Sequence, residues 1–206
     1  MKKKNNKFLT IFVTFVFGLT IGICLQNPDY ITGLIEQTKI SNSQTPQIKH
    51  YGISQLSRSK VSTCFTPPSG CTKFIANQIN TARESIYMQA YGMSDSLITA
   101  ALIDAKERGV KVKILLDRSN LKQKFSKLHE LQRAKIEVGI DKVPGIAHNK
   151  VIIIDKKKVI TGSFNFTAAA DKRNAENVIV IEDEELADAY LQNWFSRESK
   201  KSTIDY

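Results

Sequence analysis

Two short segments carry most of the side chains that could do chemistry. The first has the form H-x-K-x4-D and contains His148, Lys150 and Asp155; the second, G-S-x-N, contains Ser163 and Asn165. On a β-strand, residues two apart share a face, so His148 and Lys150 point the same way, as do Ser163 and Asn165. They offer a nucleophilic nitrogen, a fixed cation and two polar groups, a set that suits phosphoryl chemistry. Asp155, at odd spacing from His148, is predicted to be structural and to hold the following hairpin or lysine turn.

This pair of motifs resembles the signature of the phospholipase D superfamily, and the likeness extends over residues 61–198. It is similar above all to small bacterial members with one motif copy. These include a periplasmic endonuclease and secreted phospholipase D proteins described as virulence factors of intracellular bacteria. The amino terminus and the Cys-Phe-Thr-Pro sequence at 64–67 resemble the second group.

The resemblance implies a two-step reaction that needs neither metal nor cofactor. His148 would attack phosphorus to form a phosphohistidine, while Lys150, Ser163 and Asn165 bind the phosphate oxygens. Glu176 falls where single-motif members carry a carboxylate that hydrogen-bonds the nucleophilic imidazole.

The resemblance also implies a homodimer. In two-copy members a second motif histidine protonates the leaving group, but here neither His50 nor His129 has a lysine two residues on. We therefore expect a twofold axis to bring a second His148 into one shared site.

Three functions are compatible with these residues. The leading one is an exported phospholipase D that releases phosphatidate from a phospholipid such as phosphatidylcholine. The second is a non-specific DNA/RNA endonuclease with the same site, and the third is a membrane-tethered nucleic-acid-binding protein with vestigial catalysis.

Composition favours an anionic partner. The 206 residues are 42% hydrophobic and 24% charged, as in globular proteins, which argues against disorder and coiled coil. The net charge is +10, and residues 106–135 alone carry +7. That stretch could track phosphates, contact an anionic membrane or be a solvated helix face.

The amino terminus has the layout of an export signal. Four lysines precede an uncharged apolar run of 17 residues, from Phe8 to Cys24, so residues 1–26 are predicted to be a signal peptide or an uncleaved membrane anchor. Residues 27–60 are a polar linker, 61–198 the catalytic domain and 199–206 a tail. In an exported chain, Cys64 and Cys71 around a Pro-Gly turn suggest a disulfide; two buried thiols are the alternative.

Alternating elements predict an α/β fold in which helices sandwich a mixed sheet. Strands are expected at 61–65, 85–91, 110–116, 136–140, 148–155, 159–161 and 175–181. Helices are expected at 72–84, from a cap at Ser94 or Asp95 to Gly109, at 120–135 and at 183–197.

Overall fold

The structure, a computed structural model, describes residues 60–201, which form one mixed seven-stranded sheet with helices on both faces. The predicted α/β class is confirmed. The strands are β1 (Lys60–Thr66), β2 (Ser85–Ala90), β3 (Lys111–Leu116), β4 (Glu137–Ile140), β5 (Lys150–Ile154), β6 (Lys158–Gly162) and β7 (Glu176–Glu182). The helices are α1 (Cys71–Asn80), α2 (Ser96–Glu107), α3 (Leu128–Arg133), α4 (Ala168–Lys172) and α5 (Glu184–Glu198), with a 3-10 turn at Arg118–Leu121.

The order of the strands brings the motif residues to one end of the sheet. The order is β1-β7-β6-β5-β2-β3-β4, with parallel pairing between β2, β3 and β4 and antiparallel pairing elsewhere. Because β5 runs antiparallel to β2, the first residue of β5, Lys150, pairs with the last residue of β2, Ala90. Gly162, at the end of β6, lies at the same end, which we call the site end.

Strand β5 is buried along its whole length because both faces of the sheet are covered. Ile152 packs in the larger core with α1 to α4, whereas Ile153 packs in a second core beneath α5. In that second core, Trp194 is 1% exposed and its indole N–H donates to the Met88 carbonyl over 3.0 Å. Two apolar layers therefore fix the sheet that carries the motifs.

The predicted helix at 120–135 is wrong, because its first half is the 3-10 turn and an irregular loop. The Asn120 amide donates to the carbonyls of Tyr91 and Asp117, and the Lys127 N–H donates to the Met93 carbonyl. A helix through this segment would need the Lys127 N–H for its own backbone bonds, so helix α3 begins only after Lys127.

Helix α1 also ends four residues before the predicted limit of 84. The backbone N–H groups of Arg83, Glu84 and Ser85 donate to the carboxylate of Asp155, at distances of 2.8 to 3.2 Å. The carboxylate thus joins the start of β2 to the β5–β6 hairpin, at the end of the sheet away from Lys150.

The predicted signal or anchor and nearly all of the predicted linker lie outside the described residues, as do His50 and most of the tail. Within residues 60–201, no helix is both long and apolar enough to cross a bilayer.

Candidate active site

The residue that follows β2, Tyr91, brings His148 and Lys150 together. The rings of Tyr91 and His148 lie 4.6 Å apart between centroids, and the Lys150 ammonium lies 5.2 Å from the centre of the same Tyr91 ring. The Tyr91 N–H donates to the Asn149 carbonyl over 2.9 Å, which extends the β2–β5 pairing one step beyond the strands. The two motif side chains are thus held against one aromatic ring.

His148 and Lys150 differ sharply in exposure. His148 is exposed to solvent, whereas Lys150 is only 7% exposed. The Lys150 ammonium donates to the His148 carbonyl over 2.8 Å, and the structure gives it no further hydrogen bond among residues 60–201. Burial lowers the pKa of Lys150, and the negative charge of Glu176 opposes this shift only in part. A buried cation with spare donors beside an exposed imidazole can bind a phosphate oxygen while the imidazole reaches phosphorus.

The G-S-x-N motif follows β6 in a turn that requires glycine. Gly162 has a φ of 145°, and a Cβ there would lie 2.2 Å from the Asn177 carbonyl oxygen. The turn places Asn165 beside Gly92, the residue after Tyr91, and the Phe166 N–H donates to the Gly92 carbonyl over 3.1 Å. The Asn165 side-chain oxygen is buried without a hydrogen-bond partner in the described region, so this amide has unused capacity next to the site.

Glu176 lies close to Ser163 at the start of β7. Its carboxylate accepts the Ser163 hydroxyl proton over 2.5 Å and an amide proton of Asn174 over 2.9 Å. In the described chain, none of the hydrogen bonds of Glu176 runs to His148. The single hydroxyl proton of Ser163 is used on Glu176, which makes Ser163 a positioning residue for the carboxylate; its binding of phosphate stays a prediction.

A second carboxylate, Asp117, fixes the backbone just before the nucleophile. Asp117 is 1% exposed and accepts the N–H groups of Ser119 and Ala147, at 2.9 and 2.8 Å. Burial raises the pKa of Asp117, but these backbone hydrogen bonds together lower it below the usual value. Asp117 therefore holds Ala147, and through it His148, against the end of β3.

The two cysteines lie on the edge strand β1 and at the first residue of α1. Cys64 and Cys71 are bonded, with their Cα atoms 5.6 Å apart. Between them, the Thr66 hydroxyl donates to the Ala170 and Asn174 carbonyls. The bridge thus links β1 and α1 near the start of β7.

The motifs predicted that His148, Lys150, Ser163 and Asn165 act together, and the structure places all four at the site end, with the last two in the turn after β6 rather than on a strand. Neither Tyr91 nor Asp117 was predicted. The signal for Tyr91 was its place directly after a buried strand, next to a glycine. Asp155 lies at the opposite end of the sheet, and its contacts there are structural. His129 contacts Gln132 within α3, at 3.2 Å.

Several known proteins are similar to this chain in sequence or in structure. The family model described as "Cardiolipin synthase, PLD-like domain" matches residues 75–198. A protein named Phospholipase D from Rickettsia bellii (strain RML369-C) is 82% identical over 200 residues, which cover 97% of this chain and 99% of that protein. Nuc from Salmonella typhimurium, a phospholipase D family member of known structure, has a TM-score of 0.69 and 34% identity, covering 72% of this chain and 100% of its own. NucT from Helicobacter pylori has a TM-score of 0.65 and 25% identity, covering 71% and 100%.

Proposed function

This chain belongs to the phospholipase D superfamily, as its motifs indicated, and we propose that it hydrolyses a phospholipid such as phosphatidylcholine to phosphatidate and the free alcohol. Its likeness to proteins named Phospholipase D and to Nuc makes it a phosphodiesterase. The observation that carries the proposal is the cluster of His148, Lys150 and Asn165 around the Tyr91–Gly92 segment. The choice of lipid is supported by the near full-length identity to a protein named Phospholipase D.

In the first step, a nitrogen of the His148 imidazole attacks phosphorus. A P–N bond forms and the P–O bond to the head-group alcohol breaks, so that the alcohol leaves with a proton supplied by a general acid. The Lys150 ammonium neutralises a non-bridging oxygen, at a position where it has donors to spare. In the second step, water gives a proton to the group that acted as general acid and attacks phosphorus; the P–N bond breaks, and phosphatidate and the free His148 imidazole are released.

The general acid is proposed to come from a second copy of the chain. Among the described residues the one other histidine is His129, whose ring is hydrogen-bonded within α3. His148, by contrast, is exposed, so a twofold axis beside it would place two imidazoles in one site. We propose that Glu176, which makes no bond to its own His148, supports the imidazole of the second copy.

The dimer is tested by mixing wild-type chains with His148→Asn chains. Activity should fall in proportion to the mixed dimers, because each mixed dimer lacks one of two required histidines. A fully active monomer in sedimentation at assay concentration would contradict the shared site.

We further propose that residues 1–26 export the chain or anchor it to a membrane. The four lysines and the apolar run of 17 residues support this proposal.

Cleavage of DNA or RNA by the same site is the second candidate. It is favoured by the net charge of +7 over residues 106–135, since phosphate backbones attract such a surface. The chemistry at phosphorus would be identical, and only the leaving alcohol would differ.

One assay separates the two substrates. The full-length chain, purified in mild detergent, is given phosphatidylcholine, plasmid DNA and RNA, each with and without chelator, and His148→Asn serves as the control. Choline release without nicking supports the lipid proposal, whereas nicking without choline release overturns it in favour of the nuclease.

A further inference from the structure

The last residue of the 3-10 turn and the loop that follows it expose apolar side chains next to cations. Phe125 is 73% exposed and Leu121 is 48% exposed. Lys122 and Lys124 are also exposed, and the Lys124 ammonium lies 5.5 Å from the centre of the Phe125 ring. An apolar and aromatic pair interleaved with lysines, within five residues, is typical of segments that lie in a membrane interface.

The base of this loop is fixed to the active site. On one side, the Asn120 amide donates to the Tyr91 carbonyl over 2.7 Å. On the other side, the Lys127 N–H donates to the Met93 carbonyl over 2.9 Å. Residues 121–125 therefore project from a support that includes Tyr91, whose ring contacts His148. A surface that binds residues 121–125, the tip of the loop, is therefore held at a fixed position relative to His148.

A cationic cleft opens beneath the tip. It has a volume of about 330 Å³ and is lined mainly by Ser94, Ser96, Lys124, Phe125, His129 and Arg133. Its acidic residue, Glu130, is paired with Lys127 at 2.7 Å, so it does not neutralise the other cations. Hydroxyl groups and unneutralised cations suit the phosphate of an anionic head group.

We propose that residues 121–125 dock this protein on an anionic phospholipid bilayer, with Leu121 and Phe125 in the interface and Lys122 and Lys124 on lipid phosphates. This proposal rests on the proposed function, because the bilayer on which the protein docks would be the source of the phospholipid substrate. Charge decides against a second copy of the chain as the occupant, because a twofold contact would set the same lysines against each other.

The direct test is the fluorescence of Phe125→Trp in the full-length chain. The native chain has a single tryptophan, Trp194, which is 1% exposed and gives a constant baseline. Vesicles of phosphatidylcholine and phosphatidylglycerol with brominated acyl chains should quench the new tryptophan and shift its emission to the blue. Phe195→Trp is the matched control, because Phe195 is 41% exposed but lies on α5, across the sheet from the loop. It should not be quenched.

Charge reversal tests the electrostatic part. Lys122→Glu and Lys124→Glu, each introduced into Phe125→Trp, should lower the docking constant obtained from quenching by at least about fivefold each. Lys156→Glu, an equal change in the exposed turn at the opposite end of the sheet, should leave it unchanged.

Three other outcomes overturn the docking proposal, and the comparison of quenching with hydrolysis separates it from the proposed function. Absent quenching, or equal quenching of the control, means that the loop does not enter the bilayer. A response to DNA but not to vesicles makes the loop a nucleic-acid contact, and loss of the dimer in Phe125→Ser makes it a self-contact. Quenching without phosphatidylcholine hydrolysis would leave the docking standing and contradict the proposed function; hydrolysis without quenching would do the reverse.

Discussion

Replacement of Lys150 by methionine is expected to stabilise the fold while it removes activity. The Lys150 side chain is 7% exposed, and its ammonium has one hydrogen bond and one ring contact, with no ion pair in the described region. Burial lowers its pKa despite the opposing charge of Glu176. A lysine whose pKa is lowered on folding is less stable as a cation in the folded chain than in the unfolded chain, so its charge costs folding free energy.

The change in the free energy of unfolding can be estimated from the contacts that Lys150→Met removes and the charge burial that it avoids. Methionine keeps the length of the side chain but gives up a charged hydrogen bond, worth about 1.5–3 kcal/mol, and a desolvated cation–ring contact, worth about 2 kcal/mol. In return the variant avoids burying an ammonium without an ion pair, which costs several kcal/mol. Burial is the larger cause of the lowered pKa of Lys150, so we expect the cost of burying the charge to exceed what these contacts return, with a net gain of about 1 kcal/mol. For a domain of this size the midpoint of thermal unfolding should rise by about 2–5 °C.

The assay is thermal unfolding of both proteins between pH 7 and pH 10, together with phosphodiester hydrolysis. Since the folded chain binds this proton more weakly than the unfolded chain, wild-type stability should rise with pH from the lowered pKa towards about 10.4, and the advantage of the variant should shrink. The rate constant kcat should fall by about 10²–10³, the usual effect of losing one group that stabilises a developing charge. Lys156→Met, in the exposed turn, should change neither quantity. A less stable Lys150→Met protein that keeps its activity would refute the reasoning.

Three further predictions concern Asp117, the disulfide and metal ions. Asp117→Asn should cost about 1–3 kcal/mol in urea unfolding at pH 7. Because the folded-state pKa of Asp117 is lowered, its stabilisation is present above about pH 4 and is lost as the pH falls through the folded value, so wild type and variant should converge in acid. Cys64→Ser should cost about 2–3 kcal/mol, the chain-entropy value for a short loop, and the intact mass of wild-type protein kept without reductant should show no free thiol at Cys64 or Cys71. EDTA should leave hydrolysis unchanged, and a loss restored only by a divalent ion would contradict the mechanism.

The sequence was informative where local periodicity decides the structure. The strand predicted at 148–155 is observed as β5, which begins two residues later, at Lys150, so that His148 lies just before the strand. The α/β class followed from the alternation of strand and helix patterns, and the family from the resemblance of the two motifs to its signature. Helix α5, with its acidic start after Asp183, was predicted to within one residue at each end.

The features that the sequence did not predict depend mostly on contacts between residues far apart in the chain. Tyr91 meets His148 only because β2 and β5 pair in the centre of the sheet, which no local pattern specifies. The short helix α4 was not predicted, because five residues give little periodicity. The helix predicted at 120–135 failed because the side chain of Asn120 and the backbone of Lys127 bond to the segment after β2 instead.

The central claim is that His148 forms a covalent bond to phosphorus, and trapping that bond tests it most directly. The full-length chain is mixed with phosphatidylcholine, quenched in alkali within one turnover to preserve a phosphoramidate, digested and analysed by mass spectrometry. We expect the mass of a phosphatidyl group, or of the part that survives alkali, on the peptide that contains His148. The same peptide from His148→Asn should carry no adduct. Turnover by His148→Asn, or an adduct on any other residue, would contradict this account.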